Sequence, residues 1–87
     1  MDVRVTFGRK THSPFLSRYL EMRLRSSGVN ERPVSVYVDI EKKEQGYHLD
    51  CSLEHQQHSL EIKEEFAVNP KHALDAVLGR MLSFCSQ

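Results

Sequence analysis

The sequence predicts an α+β fold: a two-layer sandwich in the order β-α-β-β-β-α, with a four-stranded sheet and both helices on one face. Four segments alternate apolar and polar residues with a period of two, the mark of half-buried strands. Two others carry apolar residues at helical spacing between start and stop signals. Three of the strands follow one another through short links, which demands an antiparallel meander. Both helices must then cover its single apolar face.

Val3, Val5 and Phe7 alternate with Asp2, Arg4 and Thr6 to give the first strand, which Gly8 ends. In "THSPFLSRYLEMRLRSSG", Ser13 is a candidate N-cap, Pro14 takes the first helical position and Gly28 is the stop. Leu16, Tyr19, Leu20 and Leu24 fall on one face of this helix, with Phe15 flanking; Arg18, Glu21 and Arg25 fall on the other. The turn-like "GVNERP" leads to a second strand, in which Val34, Val36, Val38 and Ile40 alternate with polar residues. Parallel pairing of the first two strands follows from the helix between them.

"KKEQG" is a loop before the third strand, with Tyr47, Leu49, Cys51 and Leu53 inward, and "HQQH" is a tight connection to the fourth. If Gln56 and Gln57 form a two-residue turn, Leu53 faces Leu60, Cys51 faces Ile62 and Tyr47 faces Phe66. On the other surface Asp50 then faces Lys63 and Ser52 faces Glu61. Gln-Gln is not a favoured pair for such a turn, so a four-residue loop competes with it. Glu64 would land on the apolar side opposite Leu49, which calls for a bulge or for an edge position that lets the carboxylate reach water. The outer face is expected to stay wet: Arg4, Thr6, Tyr37, Asp39, His48, Asp50, Ser52, Glu61, Lys63 and Glu65. Asn69 as N-cap and Pro70 then open a last helix whose stripe is Leu74, Val77, Leu78, Met81, Leu82 and Cys85, with Gly79 off it.

The 87 residues read as one domain, 1–87. A chain of this size buries roughly 60–65% of its unfolded surface. No apolar run approaches the ~20 residues of a membrane span. With two cysteines and no leader-like start, a reducing cytoplasm is the expected compartment. The formal net charge is zero, from twelve basic and twelve acidic residues. It is unevenly spread: residues 1–32 hold seven basic and three acidic side chains (+4), and residues 33–87 hold five and nine (−4). Such a dipole suits a polyanion met by one face, and equally an ordinary solvated surface.

Catalytic patterns are lacking. His12, His48, His55, His58 and His72 read as solvated loop histidines; His55 and His58 flank the tight turn, but no Cys-x-x-Cys, His-Glu-x-x-His or Asp-rich loop accompanies them. Cys51 and Cys85 sit on apolar stripes and read as structural. The carboxylates Asp39, Glu41, Asp50, Glu61 and Glu65 lie on an open face without the cleft that acid–base work requires. The four glycines are isolated, so no phosphate loop exists. No enzyme, cofactor, metal or small-molecule substrate is indicated. What remains is binding: Arg9 and Lys10 after the first strand, Arg18, Arg23 and Arg25 on the first helix, and Lys71 and Arg80 on the last are expected to converge on one helix-side surface, where they would position the domain on phosphates. Seven cations on a neutral domain are a weaker field than dedicated nucleic-acid binders carry.

Several stretches carry a family resemblance across nearly the whole chain: "VRVTFGRKT", "FLSRYLEMRL", "VSVYVDIEKKEQGYHLDCSLE" and above all "HALDAVLGRML". In these the sequence resembles the ribosome hibernation-promoting factors, also called sigma-54 modulation or ribosome-associated inhibitor proteins. The resemblance implies a double-stranded-RNA-binding-like fold. It also implies a cytoplasmic, stress-linked partner of the small ribosomal subunit that occupies the decoding channel, holds ribosomes silent in stationary phase and contacts ribosomal RNA through basic helix residues. By position, Arg23 matches a basic position of the family's first helix, and Arg80 matches the basic residue after "LDAVLG". Where family members continue the last helix with further lysines and arginines, this chain reads "SFCSQ". A short form without the family's C-terminal dimerisation domain is therefore expected. The lost charge weakens the expected affinity, and a protein partner on the acidic sheet face is the alternative.

Overall fold

The structure, a computed structural model, describes residues 1–29, 34–67 and 69–85. Its elements are β1 (Asp2–Phe7), β2 (Thr11–His12), α1 (Pro14–Ser26), β3 (Val34–Lys43), β4 (Gly46–His55), β5 (His58–Phe66) and α2 (Pro70–Cys85). Most of the turn expected at "GVNERP" lies outside the described residues.

The strands form one mixed sheet in the order β2-β1-β3-β4-β5, with β1 parallel to β3 and all other neighbours antiparallel. Five strands, not four, is the first correction. The extra strand is a two-residue return after β1, too short to show any periodicity. Gly8 and Arg9 take φ of 60° and 62°, and the Lys10 N–H donates to the Phe7 carbonyl at 3.2 Å. Positive φ at both central residues is the type I′ geometry that suits a hairpin's twist.

Beyond β2, the exposed edge of β1 is taken over by α1. The Ser13 N–H donates to the Val5 carbonyl at 2.8 Å, and the Val5 N–H donates to Ser17 Oγ at 2.9 Å. The hydroxyl of Ser17 in turn donates to the Ser13 carbonyl at 2.7 Å, so this buried serine is saturated. α1 begins as expected, with Ser13 Oγ accepting from the Leu16 N–H. It ends in a Schellman motif: the Gly28 N–H reaches the Arg25 carbonyl and the Val29 N–H reaches the Leu24 carbonyl, both at 3.0 Å. Gly28 at φ 95° supplies the left-handed residue, and buried Val29 supplies the apolar contact.

The β4–β5 hairpin turns on Gln56 and Gln57, at φ 51° and 70°, and the expected register holds residue by residue. No bulge interrupts it. β5 is an edge strand, and Glu64, opposite Leu49, leans out to α2, where Arg80 Nη1 lies 2.6 Å from its Oε1. Both helices pack on the same face. One core joins Val5, Val36, Val38 and Ile40, Leu49, Leu53 and Ile62 of the sheet to Leu16, Leu20 and Leu24 of α1 and Leu74, Val77 and Met81 of α2. At about 1.5–3 kcal/mol for each such side chain removed from water, this layer is the main stabilising term. Asn69 caps α2, its Oδ1 accepting from the His72 N–H at 3.0 Å.

Candidate nucleic-acid interface

The two helices meet at Tyr19. Its hydroxyl donates to Asp75 Oδ1 across the seam at 2.5 Å, and Arg23 Nη1 reaches the same hydroxyl at 3.1 Å and Asp75 at 3.5 Å. The Tyr19 ring is flanked by two cations: the Arg23 guanidinium carbon 5.9 Å from its centroid and Lys71 Nζ 5.1 Å from it. Both distances lie within the roughly 6 Å over which a ring quadrupole attracts a cation. Arg23 and Lys71 are thus drawn from different helices to one spot. The hydrogen bond to Asp75 holds the Tyr19 phenol above its ordinary pKa. Tyr19 and Asp75 carry no signal as binding residues in the sequence; their contact lies across 56 positions and has no local signature.

The other predicted cations are placed apart. Arg18 and Lys10 are exposed, and among the described residues neither has a carboxylate within ion-pair distance. Arg25 pairs with Glu21 on its own helix at 3.5 Å. Arg80 is drawn to Glu64 at the β5 edge. Arg9 does not join the helix-side surface at all, and that expectation is corrected. Its backbone N–H donates to Asp39 Oδ1 at 2.6 Å, and its guanidinium lies 3.9 Å from Asp39 Oδ2 and 3.5 Å from Asp50 Oδ2. Asp39 and Asp50 are direct cross-strand neighbours on the outer sheet face, a repulsive arrangement without a cation between them.

That outer face is less wet than the alternation implies. Thr6 and Asp39 are each only 3% exposed. Thr6 Oγ1 donates to Asp39 Oδ1 at 2.7 Å. With its one proton so used, it accepts from the Tyr37 hydroxyl at 3.0 Å. A polar knot therefore ties β1, β3 and the β1–β2 turn. Elsewhere on that face Arg4, Ser52, Glu61, Lys63 and Glu65 are exposed as expected.

The histidines expected in loops need correction as well: His12 lies in β2, His48 in β4, His58 in β5 and His72 in α2. His55 is not a solvated loop residue: it is the last residue of β4, 3% exposed, with its ring edge-on to Phe84 at 6.4 Å between centroids. His12 Nε2 lies 3.1 Å from Ser17 Oγ, and His48 lies between Asp50 and Glu65 at 3.7 and 3.6 Å. Among the described residues no group of three or more His, Cys, Asp or Glu side chains could hold a metal ion. Cys51 and Cys85 are both buried. Burial pushes the Cys51 thiol up to about 12, against a small opposing pull from Arg80, which leaves it a poor nucleophile at neutral pH. Among the described residues no helix is long and apolar enough to cross a membrane.

A mixed sheet with two helices on one face and a cation pair at their seam defines an α+β two-layer domain. Solved structures narrow it. The chain matches the Thermus thermophilus Protein Y N-terminal domain with a TM-score of 0.74 at 15% identity, over 98% of this chain and 96% of that one. It matches a ribosomal subunit interface protein from Coxiella burnetii with a TM-score of 0.73 at 14% identity, over 99% of this chain and 94% of the other. At such identities the likeness establishes the fold alone: an α+β domain with two helices and a mixed five-stranded sheet. No family model and no curated protein matches the sequence.

Proposed function

We propose that this domain associates with the ribosome as a non-catalytic, RNA-binding factor. On this reading it acts on the small subunit and restrains translation under stress or in stationary phase, as the hibernation-promoting resemblance implies. The observation that carries the reading is the near end-to-end match, over 99% and 94% of the two chains, to a protein whose name places it at a ribosomal subunit interface. Because one fold hosts many functions, chemistry must support it too. Arg23 and Lys71 converge at the helix seam, and Arg18, exposed on α1, has no carboxylate in ion-pair range among the described residues, so that phosphates of ribosomal RNA could be met from the helix side. Lys10, Arg25 and Arg80 would add contacts from the flanks; Arg9 would hold the fold. The resemblance also implies a double-stranded-RNA-binding-like fold, a reading that both helices lying on one side of the sheet supports.

The test is sedimentation of the purified protein with small ribosomal subunits through a sucrose gradient at low salt. Co-sedimentation is expected, and its loss is expected when Arg18, Arg23, Arg25 and Arg80 are all changed to Glu. A protein that stays at the top of the gradient, or a quadruple variant that still travels with the subunit, defeats the reading. The exposed carboxylates Glu41, Glu54, Glu61 and Glu65 on the sheet side support a second reading, a protein partner with a basic surface. Affinity capture under nuclease treatment separates the two.

A further inference from the structure

Phe15 and Met22 are 72% and 59% exposed, the most exposed large apolar side chains among the described residues. Both lie on α1, and with Arg18 and Arg25 they form the order Phe15, Arg18, Met22, Arg25. At 3.6 residues per turn these positions share one stripe, opposite the buried stripe of Leu16, Leu20 and Leu24. The stripe therefore points straight away from the sheet. Folding makes no use of the Phe15 ring, which neither caps the helix nor enters the core. An aromatic is also a weaker helix former than the charged residues usual on such a face.

Size and charge select the occupant. A stable protein interface needs about 800 Å² per partner with an apolar centre, and two apolar side chains separated by a guanidinium fall well short of that. One base needs only one aromatic face. The cations favour a polyanion: Arg18 has no carboxylate in ion-pair range among the described residues, and the carboxylate paired with Arg25 is Glu21 of the same helix. Duplex RNA is held by backbone and minor-groove contacts and does not require an exposed ring, whereas unpaired bases stack on one.

We propose that the α1 stripe is a single-strand RNA subsite, in which Phe15 stacks on an unpaired base, Met22 covers the edge of that base and Arg18 holds the adjoining phosphate. It rests on the RNA-binding reading above and adds the form of RNA that is recognised.

The test is fluorescence anisotropy with a short single-stranded RNA of mixed sequence and a duplex of the same length. Phe15→Ala is expected to weaken single-strand binding about tenfold and leave duplex binding unchanged, while Phe15→Trp retains it. The slope of log affinity against log salt should be unchanged in Phe15→Ala and shallower by about 0.7 in Arg18→Ala. Circular dichroism melting confirms that the variants are folded. Equal loss on both RNAs, or no loss on either, overturns the subsite. So does a Phe15→Ala, Met22→Ala variant with normal RNA binding that abolishes self-association in sedimentation velocity, because the stripe would then be a protein surface. A wild-type protein that binds duplex but not single strand removes the subsite alone. One that binds neither removes the RNA-binding reading beneath it.

Discussion

Gly46 and Gly79 show how differently two glycines can matter. Gly46 sits at φ 142°, and a Cβ placed there would lie 2.1 Å from the Phe66 carbonyl oxygen, a backbone atom that cannot step aside. Gly46→Ala is expected to destabilise the domain by about 3 kcal/mol, or to prevent folding, as read by urea denaturation. Around Gly79, in the middle of α2, a Cβ meets nothing within 4 Å. Gly79→Ala is expected to stabilise by about 1 kcal/mol in the same assay. Ser17 has its own signature: Ser17→Ala strands the buried Val5 N–H and should cost about 1–3 kcal/mol. The Cys51 thiol titrates higher in the folded state than when exposed, so the protonated form goes with folding. Its contribution is fully present below the ordinary thiol value of 9.0 and is lost as pH rises toward about 12. Urea midpoints should fall from pH 8 to pH 10, and fall less steeply in Cys51→Ala.

Among the elements, the helices and the β4–β5 register were legible because long periodic segments bury one face, and a slip of one residue would turn that face to water. Glu64 was the apparent misfit, and the edge position resolves it without any bulge. β2 was not legible: Thr11 and His12 are too few to show a period, and the turn that creates the strand puts Arg9, a residue with no preference for it, in the left-handed region. The turn at Gln56 and Gln57, one of two connections the sequence left open, also holds two residues other than glycine in the left-handed region. A left-handed residue other than glycine costs about 1–2 kcal/mol. Replacing this pair by Asn-Gly should therefore raise stability by about 1–2 kcal/mol in thermal or urea melts, with unchanged register by amide exchange. The burial of Thr6 and Asp39 has no sequence signal, because alternation assigns a face and says nothing about what folds over it.

For the molecule as a whole, the candidate site was legible as a set of cations and not as an arrangement. Sequence counting treats Arg23, Arg25 and Arg80 as available charge; in the fold each has a carboxylate within 3.5 Å. Exposed pairs of this kind contribute about 0.2–1 kcal/mol each, so they moderate an incoming anion without excluding it. Asp75→Asn with Glu64→Gln should tighten RNA binding about threefold at low salt, an advantage that shrinks as salt rises. Unchanged affinity in that double variant would mean that Arg23 and Arg80 are not at the interface.

On the RNA-binding reading, the pairing of Arg23 with Asp75 and of Arg80 with Glu64 would make docking an exchange of anions: each guanidinium would leave one negative group as it takes another. One such swap gains little, and a stray phosphate has no reason to stay. Only a polymer that presents several phosphates at matching spacing would complete all the swaps together, so on that reading a neutral domain of this kind would discriminate by the geometry of its target and largely ignore dispersed anions in solution.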